Sequence, residues 1–146
     1  MSHVRVAILA QDLVWADRLA RAARAADAEP IRAKTAPELD KALVCADHVI
    51  VDLTARAYDP IVAIERARAA GARVLAVGPH DDLPLRKRAF VAGADKVLAY
   101  RKLFEDGPAT IQRWLRPTAE ASGDDSSSDA AGKDAERAAD GAVARS

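Results

Sequence analysis

The sequence predicts an α/β fold in which a parallel sheet is covered by helices on both faces. Three observations carry that prediction. Short β-rich runs alternate with helical stretches five times along the chain, an order that implies parallel strands joined by right-handed crossovers. The runs are almost continuously apolar rather than strictly alternating, as in strands buried on both sides. The helical stretches carry start and stop signals that separate them from the runs.

The elements follow in order. Val4-Arg5-Val6-Ala7-Ile8-Leu9 is the first strand. From Leu13 to Ala26, apolar residues recur at helical spacing (Leu13, Ala16, Leu19, Ala20, Ala23), while Arg18, Arg21 and Arg24 fall elsewhere and read as a solvated face. A weaker strand follows at Pro30 to Lys34. A helix from Pro37 to Val44 begins after Thr35, an N-cap with Glu38 three residues on. His48 to Asp52 is the third strand. Asp59-Pro60 opens a helix with a capping acid and a proline at its first position, and Gly71 ends it. Arg73 to Val77 is the fourth strand, Leu83 to Ala92 a helix closed by Gly93, and Lys96 to Ala99 the fifth strand. Phe104 to Leu115 is the last helix, with Gly107-Pro108 marking its true start. Trp15 and Trp114 lie at helix ends, where each is expected to cover its neighbours.

With 146 residues the chain has room for one ordinary domain. Half of the residues are apolar but few are aromatic, so the core rests on Val, Ile and Leu. The net charge of zero conceals an asymmetry. Residues 117–146 carry seven acids and three bases, leaving 19 bases and 15 acids before them, a net of +4. That charge is too thinly spread for a nucleic-acid surface, which needs basic residues clustered on one face. The stretch Gly123-Asp124-Asp125-Ser126-Ser127-Ser128-Asp129 has no apolar residue to offset ordering entropy. The expected organisation is one domain over 1–116 and a disordered acidic Ala/Ser/Asp-rich tail over 117–146. Thirty residues of that composition are not expected to form an output domain.

Several function classes fall away. A single cysteine, Cys45, allows neither an internal disulfide nor a thiolate metal cluster, and a small buried apolar role is expected for it. No run approaches the ~18 apolar residues of a membrane span. With no basic and apolar leader after Met1, the expected setting is cytoplasmic. No Ser-His-Asp constellation, zinc spacing or aromatic-basic interleaving is visible. No Gly-rich phosphate loop follows the first strand, where Leu9-Ala10-Gln11-Asp12 stands.

Asp52 is the residue to follow. An apolar β-branched run ending in a carboxylate delivers an acid to the rim of an open α/β sheet, and ligands of such sheets bind outside the carboxyl ends of the strands. The bland role for Asp52 is to bond loop amides after its strand. His80, in Val77-Gly78-Pro79-His80-Asp81-Asp82, falls on the same rim and is expected to be solvated.

The five repeats, the aspartate after strand three and the run Gly93-Ala94-Asp95-Lys96-Val97-Leu98 together resemble the receiver domain of response regulators, over about residues 4–115. The resemblance implies a doubly wound five-stranded parallel sheet, the (βα)5 flavodoxin-like architecture. It also implies five functional positions. The phosphoacceptor falls on Asp52. The acidic pair that holds magnesium falls on Ala10 and Gln11, with Asp12 one residue late. The hydroxyl residue ending strand four falls on Gly78. The lysine ending strand five falls on Tyr100, with Arg101 and Lys102 just beyond, and the family's following proline is missing. Phosphoryl transfer depends on positioning and electrostatic stabilisation by metal and cation, and magnesium needs oxygen ligands, usually with one or two carboxylates. Ala10 cannot ligate, and Tyr100 is expected to fill the volume of the absent lysine and proline.

The reading is therefore a degenerate, pseudo-receiver-like module. It is expected to stand alone, to act by protein–protein interaction and not as an enzyme, and to lack the magnesium-dependent switch. The resemblance suggests a partner surface at Arg86, Lys87, Arg88, Tyr100 and Arg101, for a histidine kinase, another regulatory protein or a second copy. Two alternatives stay open. One is a phosphorelay response regulator phosphorylated on Asp52, with Mg2+ held by Asp52 and Asp12 or Gln11. The other is a small flavodoxin-like enzyme or ligand-binding domain with a pocket near Asp12, Asp52 and His80.

Overall fold

A computed structural model describes residues 4–116. The expected tail over 117–146 lies outside the described residues. Ten elements alternate without exception: β1 (Val4–Leu9), α1 (Leu13–Ala25), β2 (Ala28–Ala33), α2 (Ala36–Leu43), β3 (His48–Asp52), α3 (Pro60–Ala69), β4 (Arg73–Gly78), α4 (Leu83–Ala92), β5 (Lys96–Ala99) and α5 (Tyr100–Leu115). The five strands form one parallel sheet in the order β2-β1-β3-β4-β5. This is the predicted doubly wound architecture.

Side chains alternate across a strand, and here both sets are buried. Ala7, Leu9, Val49, Val51, Val74 and Ala76 join Leu39 and Ala42 of α2, Ala63, Ile64 and Ala67 of α3, and Ala89 of α4 in one core cluster. Val6, Ile8, Ile50, Leu75 and Val77 alternate with them and are no more than 1% exposed. The stripe Ala16, Leu19, Ala20 and Ala23 of α1 is buried as well. The small alanines let helix backbones lie close to the sheet, while the strands supply buried Val, Leu and Ile side chains.

The local signals act as read. Thr35 and Asp59 cap α2 and α3, each accepting from backbone N–H groups of the first turn. Gly71 and Gly93 end α3 and α4 at positive φ (86° and 124°). Pro30 sits inside β2, which is tolerable because β2 is an edge strand paired only with β1.

Three expectations need correction. β2 begins at Ala28, two residues early, because its whole length pairs with β1 from Val4↔Ala28 onward. Cys45 is exposed. The buried stripe leaving α2 runs Leu39, Ala42, Ala46, so Cys45 falls one position off it. α5 begins at Tyr100 and not near Phe104, and then breaks at Asp106 (φ −147°, ψ 29°). Gly107-Pro108 does mark a new helical start, since proline lacks the N–H that would continue the preceding turn.

By packing, the chain divides between Gln112 and Arg113. The first unit is the sheet with its helices. The described part of the second runs to Arg116 and contains Trp114, which is 1% exposed. Among the described residues, no helix is long and apolar enough to cross a membrane.

Candidate functional site

Parallel strands bring all their carboxyl ends to one rim. β3 delivers Asp52 there, paired with Val77 of β4, and Leu53 extends the ladder by donating to the Val77 carbonyl at 2.9 Å. Asp52 is only 1% exposed, so its carboxylate must find protein partners. Oδ1 accepts from the Thr54 amide at 3.1 Å and the Thr54 hydroxyl at 3.0 Å. It also accepts from the Tyr100 hydroxyl. The Tyr100 and Thr54 hydroxyls are themselves 2.6 Å apart. Among the described residues, no cation forms an ion pair with Asp52. Arg101 and Lys102 pair along their own helix, with Glu105 at 3.2 Å and Asp106 at 3.5 Å.

Tyr100 therefore does more than fill space. It is half-buried at the first position of α5, its hydroxyl closes over Asp52, and its ring stacks on Trp15 with centroids 4.3 Å apart. Burial, reinforced by its hydrogen bond to Asp52, pushes its phenol well above the usual tyrosine range.

The loop after β1 is committed to structural bonds. Gln11 Oε1 accepts from the Arg56 amide at 2.7 Å and the Ala57 amide at 3.0 Å, tying that loop to the one after β3. Asp12 is the N-cap of α1, with Oδ1 accepting from Val14 at 2.8 Å and Trp15 at 3.1 Å. Beneath them, the buried Tyr58 hydroxyl bonds the Leu9 carbonyl at 2.9 Å and the Asp52 carbonyl at 2.7 Å, joining the ends of β1 and β3. Burial, with Asp52 second, raises the Tyr58 phenol strongly. Tyr58 and Thr54 had no signal in the sequence, because loop residues acquire these roles only once the loop's path is known.

Gly78 ends β4. A Cβ there would lie 3.2 Å from Cδ1 and 3.3 Å from Cβ of Leu53, which occupies that space and is 3% exposed. His80 is exposed. Among the described residues, no three His, Cys, Asp or Glu side chains are placed to hold a metal ion. Two open grooves lie elsewhere, one along α1 (Leu13, Val14, Asp17, Arg18, Arg21) and one at the opposite strand ends (Arg5, Glu29, Cys45, Asp47, His48); neither includes Asp52 or His80.

The remaining predicted residues lie on α4. Lys87 and Arg88 are exposed, and Arg86 is half-buried, with burial lowering its guanidinium below the usual range. None of the three is ion-paired among the described residues. The same helix buries only Ala89 and leaves Leu83, Phe90 and Val91 at 67%, 47% and 80% exposure.

No protein-family model matches the chain, and no curated protein matches it. Solved structures do. A response regulator from Thermotoga maritima is 17% identical over 77% of this chain and 97% of its own, with a TM-score of 0.66. The signal receiver domain of a DNA-binding response regulator from Colwellia psychrerythraea is 19% identical over 77% and 98%, with a TM-score of 0.67. A Burkholderia pseudomallei response regulator, solved with a phosphorylated aspartic acid, calcium ion and citrate, is 20% identical over 80% and 69%, with a TM-score of 0.65. At these identities the likeness is one of architecture: the chain has the fold of response-regulator receiver domains.

Proposed function

We propose that this protein is a receiver-fold signalling or regulatory module that acts through protein–protein contacts and does not use a magnesium-dependent phosphoryl switch. One observation carries the reading: the Asp52 carboxylate is almost fully buried and already bonded by Tyr100 and Thr54. The chemistry of a receiver rim needs a metal, a hydroxyl and a cation around its aspartate. Here the donor set does not fit magnesium. Ala10 offers no ligand, Gln11 serves two loop amides, and Asp12 serves a helix cap. Gly78 offers no hydroxyl, and Arg101 and Lys102 pair with Glu105 and Asp106 along their own helix. The grooves along α1 and at the opposite strand ends both lie away from Asp52 and His80, so neither supports the small-enzyme alternative.

The partner side of the proposal rests on α4, where exposed Leu83, Phe90 and Val91 share a helix with Arg86, Lys87 and Arg88, none of them ion-paired among the described residues. A histidine kinase, another regulatory protein or a second copy are the kinds of partner that such a module meets.

The test is an amide-resolved NMR titration with magnesium, then with magnesium and beryllofluoride as a phosphoryl mimic. Resonances of residues 10–12, 52–54, 78–82 and 100 should stay in place. Shifts converging on those residues would overturn the reading and install Asp52 as a phosphoacceptor.

A further inference from the structure

A line of side chains leads from the buried acid to the outer surface. Tyr100 bonds Asp52 with its hydroxyl and stacks on Trp15 with its ring. Trp15 lies in the first turn of α1, and Arg18, three residues on, holds its guanidinium 5.5 Å from the Trp15 ring centroid. The same guanidinium is 4.8 Å from the ring of Phe104, which is 70% exposed. Phe104 stands one turn beyond Tyr100 on α5, so the path closes on itself: Asp52, Tyr100, Trp15, Arg18, Phe104.

The backbone makes this path mechanical. The break at Asp106 and the proline at 108 separate residues 100–105 from the rest of α5. That segment is secured by Leu103, 5% exposed, by the Tyr100 bond within, and by the Arg18 stack outside. Interfaces of packed side chains move between discrete arrangements and do not deform smoothly.

We infer that Tyr100 is a latch that reports the state of Asp52 to the Trp15–Arg18–Phe104 surface. When the hydroxyl leaves the carboxylate, the ring shifts on Trp15, and Arg18 and Phe104 reset with it. The inference does not depend on what alters Asp52 in the cell, because substitution alone breaks the bond.

The experiment uses the full chain and NMR, which resolves the two tryptophan indoles. Tyr100→Phe keeps the ring and removes the donor; Asp52→Asn keeps the shape and weakens the acceptor. Both should move the Trp15 indole and the Arg18 and Phe104 amides in the same direction. Both should speed amide exchange in residues 100–105 by roughly tenfold, the scale of one hydrogen bond to a carboxylate. The double variant should add nothing to either single change. Phe104→Ala, at an exposed position that threatens the fold least, should shift Thr54 and Tyr100 in return, since coupling is reciprocal. Changes that stop at Asp52, Thr54 and Tyr100, or a Phe104→Ala variant that leaves the rim unmoved, would reduce the contact to a local hydrogen bond and overturn the inference. Magnesium and beryllofluoride play no part in this test, so its failure is separate from failure of the proposed function.

Discussion

At Gly78 a missing side chain and a neighbour's bulk are one feature. The sequence shows that no hydroxyl ends β4, and the structure shows why adding one is not free. Leu53 Cβ, fixed by its backbone, lies 3.3 Å from where a Gly78 Cβ would stand. Gly78→Ser should therefore destabilise the fold by about 1–3 kcal/mol through overpacking, read as a lower urea midpoint at unchanged slope. An equal or higher midpoint would show that Leu53 can yield, and that glycine is not there for space. The same residues mark the limit of what a sequence reveals. Asp52 was legible as a rim acid because strand runs and their ends are local patterns. Its closure by Tyr100 was not, because the two stand 48 positions apart. Gln11 and Ala57, 46 apart, were hidden for the same reason. A long-range hydrogen bond leaves no period in the chain, so the residues were visible and their partners were not.

At the scale of the element, the signals that worked were those whose cause lies within one turn. Asp59, Thr35, Gly71 and Gly93 bound helices because caps and positive-φ stops are made by adjacent backbone groups. The start of α5 was misplaced because six residues before a break are too few to show a helical period. Asp12 is the instructive case, since the same carboxylate can be weighed as a metal ligand or a cap. The structure gives it two amides of α1, at 2.8 and 3.1 Å. A cap needs a side-chain oxygen but no charge, and asparagine caps about as well as aspartate. Asp12→Ala should thus lose about 1 kcal/mol of stability while Asp12→Asn loses almost none. Thermal or urea unfolding of the two variants decides the matter. Equal losses would mean that the charge itself matters, and would return Asp12 to consideration as a ligand.

The parallel sheet gathers five strand ends and both of the chain's tyrosines onto one rim, so the fold's response to alkali is written there. Tyr58 bonds the ends of β1 and β3 from below, and Tyr100 closes Asp52 from the side. Burial is the first cause that raises each phenol above its ordinary value of 10.0, with the Asp52 charge acting in the same direction. The unfolded chain gives up these protons near 10, and the folded chain holds them to higher pH. A group whose folded pKa is raised contributes stability that is fully present below its unfolded pKa and is lost as pH rises beyond it. Stability should therefore be insensitive to both tyrosines below about pH 10 and fall steadily above it. Phenolate formation cannot precede opening of the rim, because an ionised Tyr58 would face two carbonyls and an ionised Tyr100 a carboxylate. In an alkaline titration the ultraviolet phenolate signal and the loss of helical circular dichroism should appear together, as one transition. A phenolate step near pH 10 with the helices intact would mean that the rim opens without unfolding, and that its tyrosines are far less firmly held than their bonds indicate.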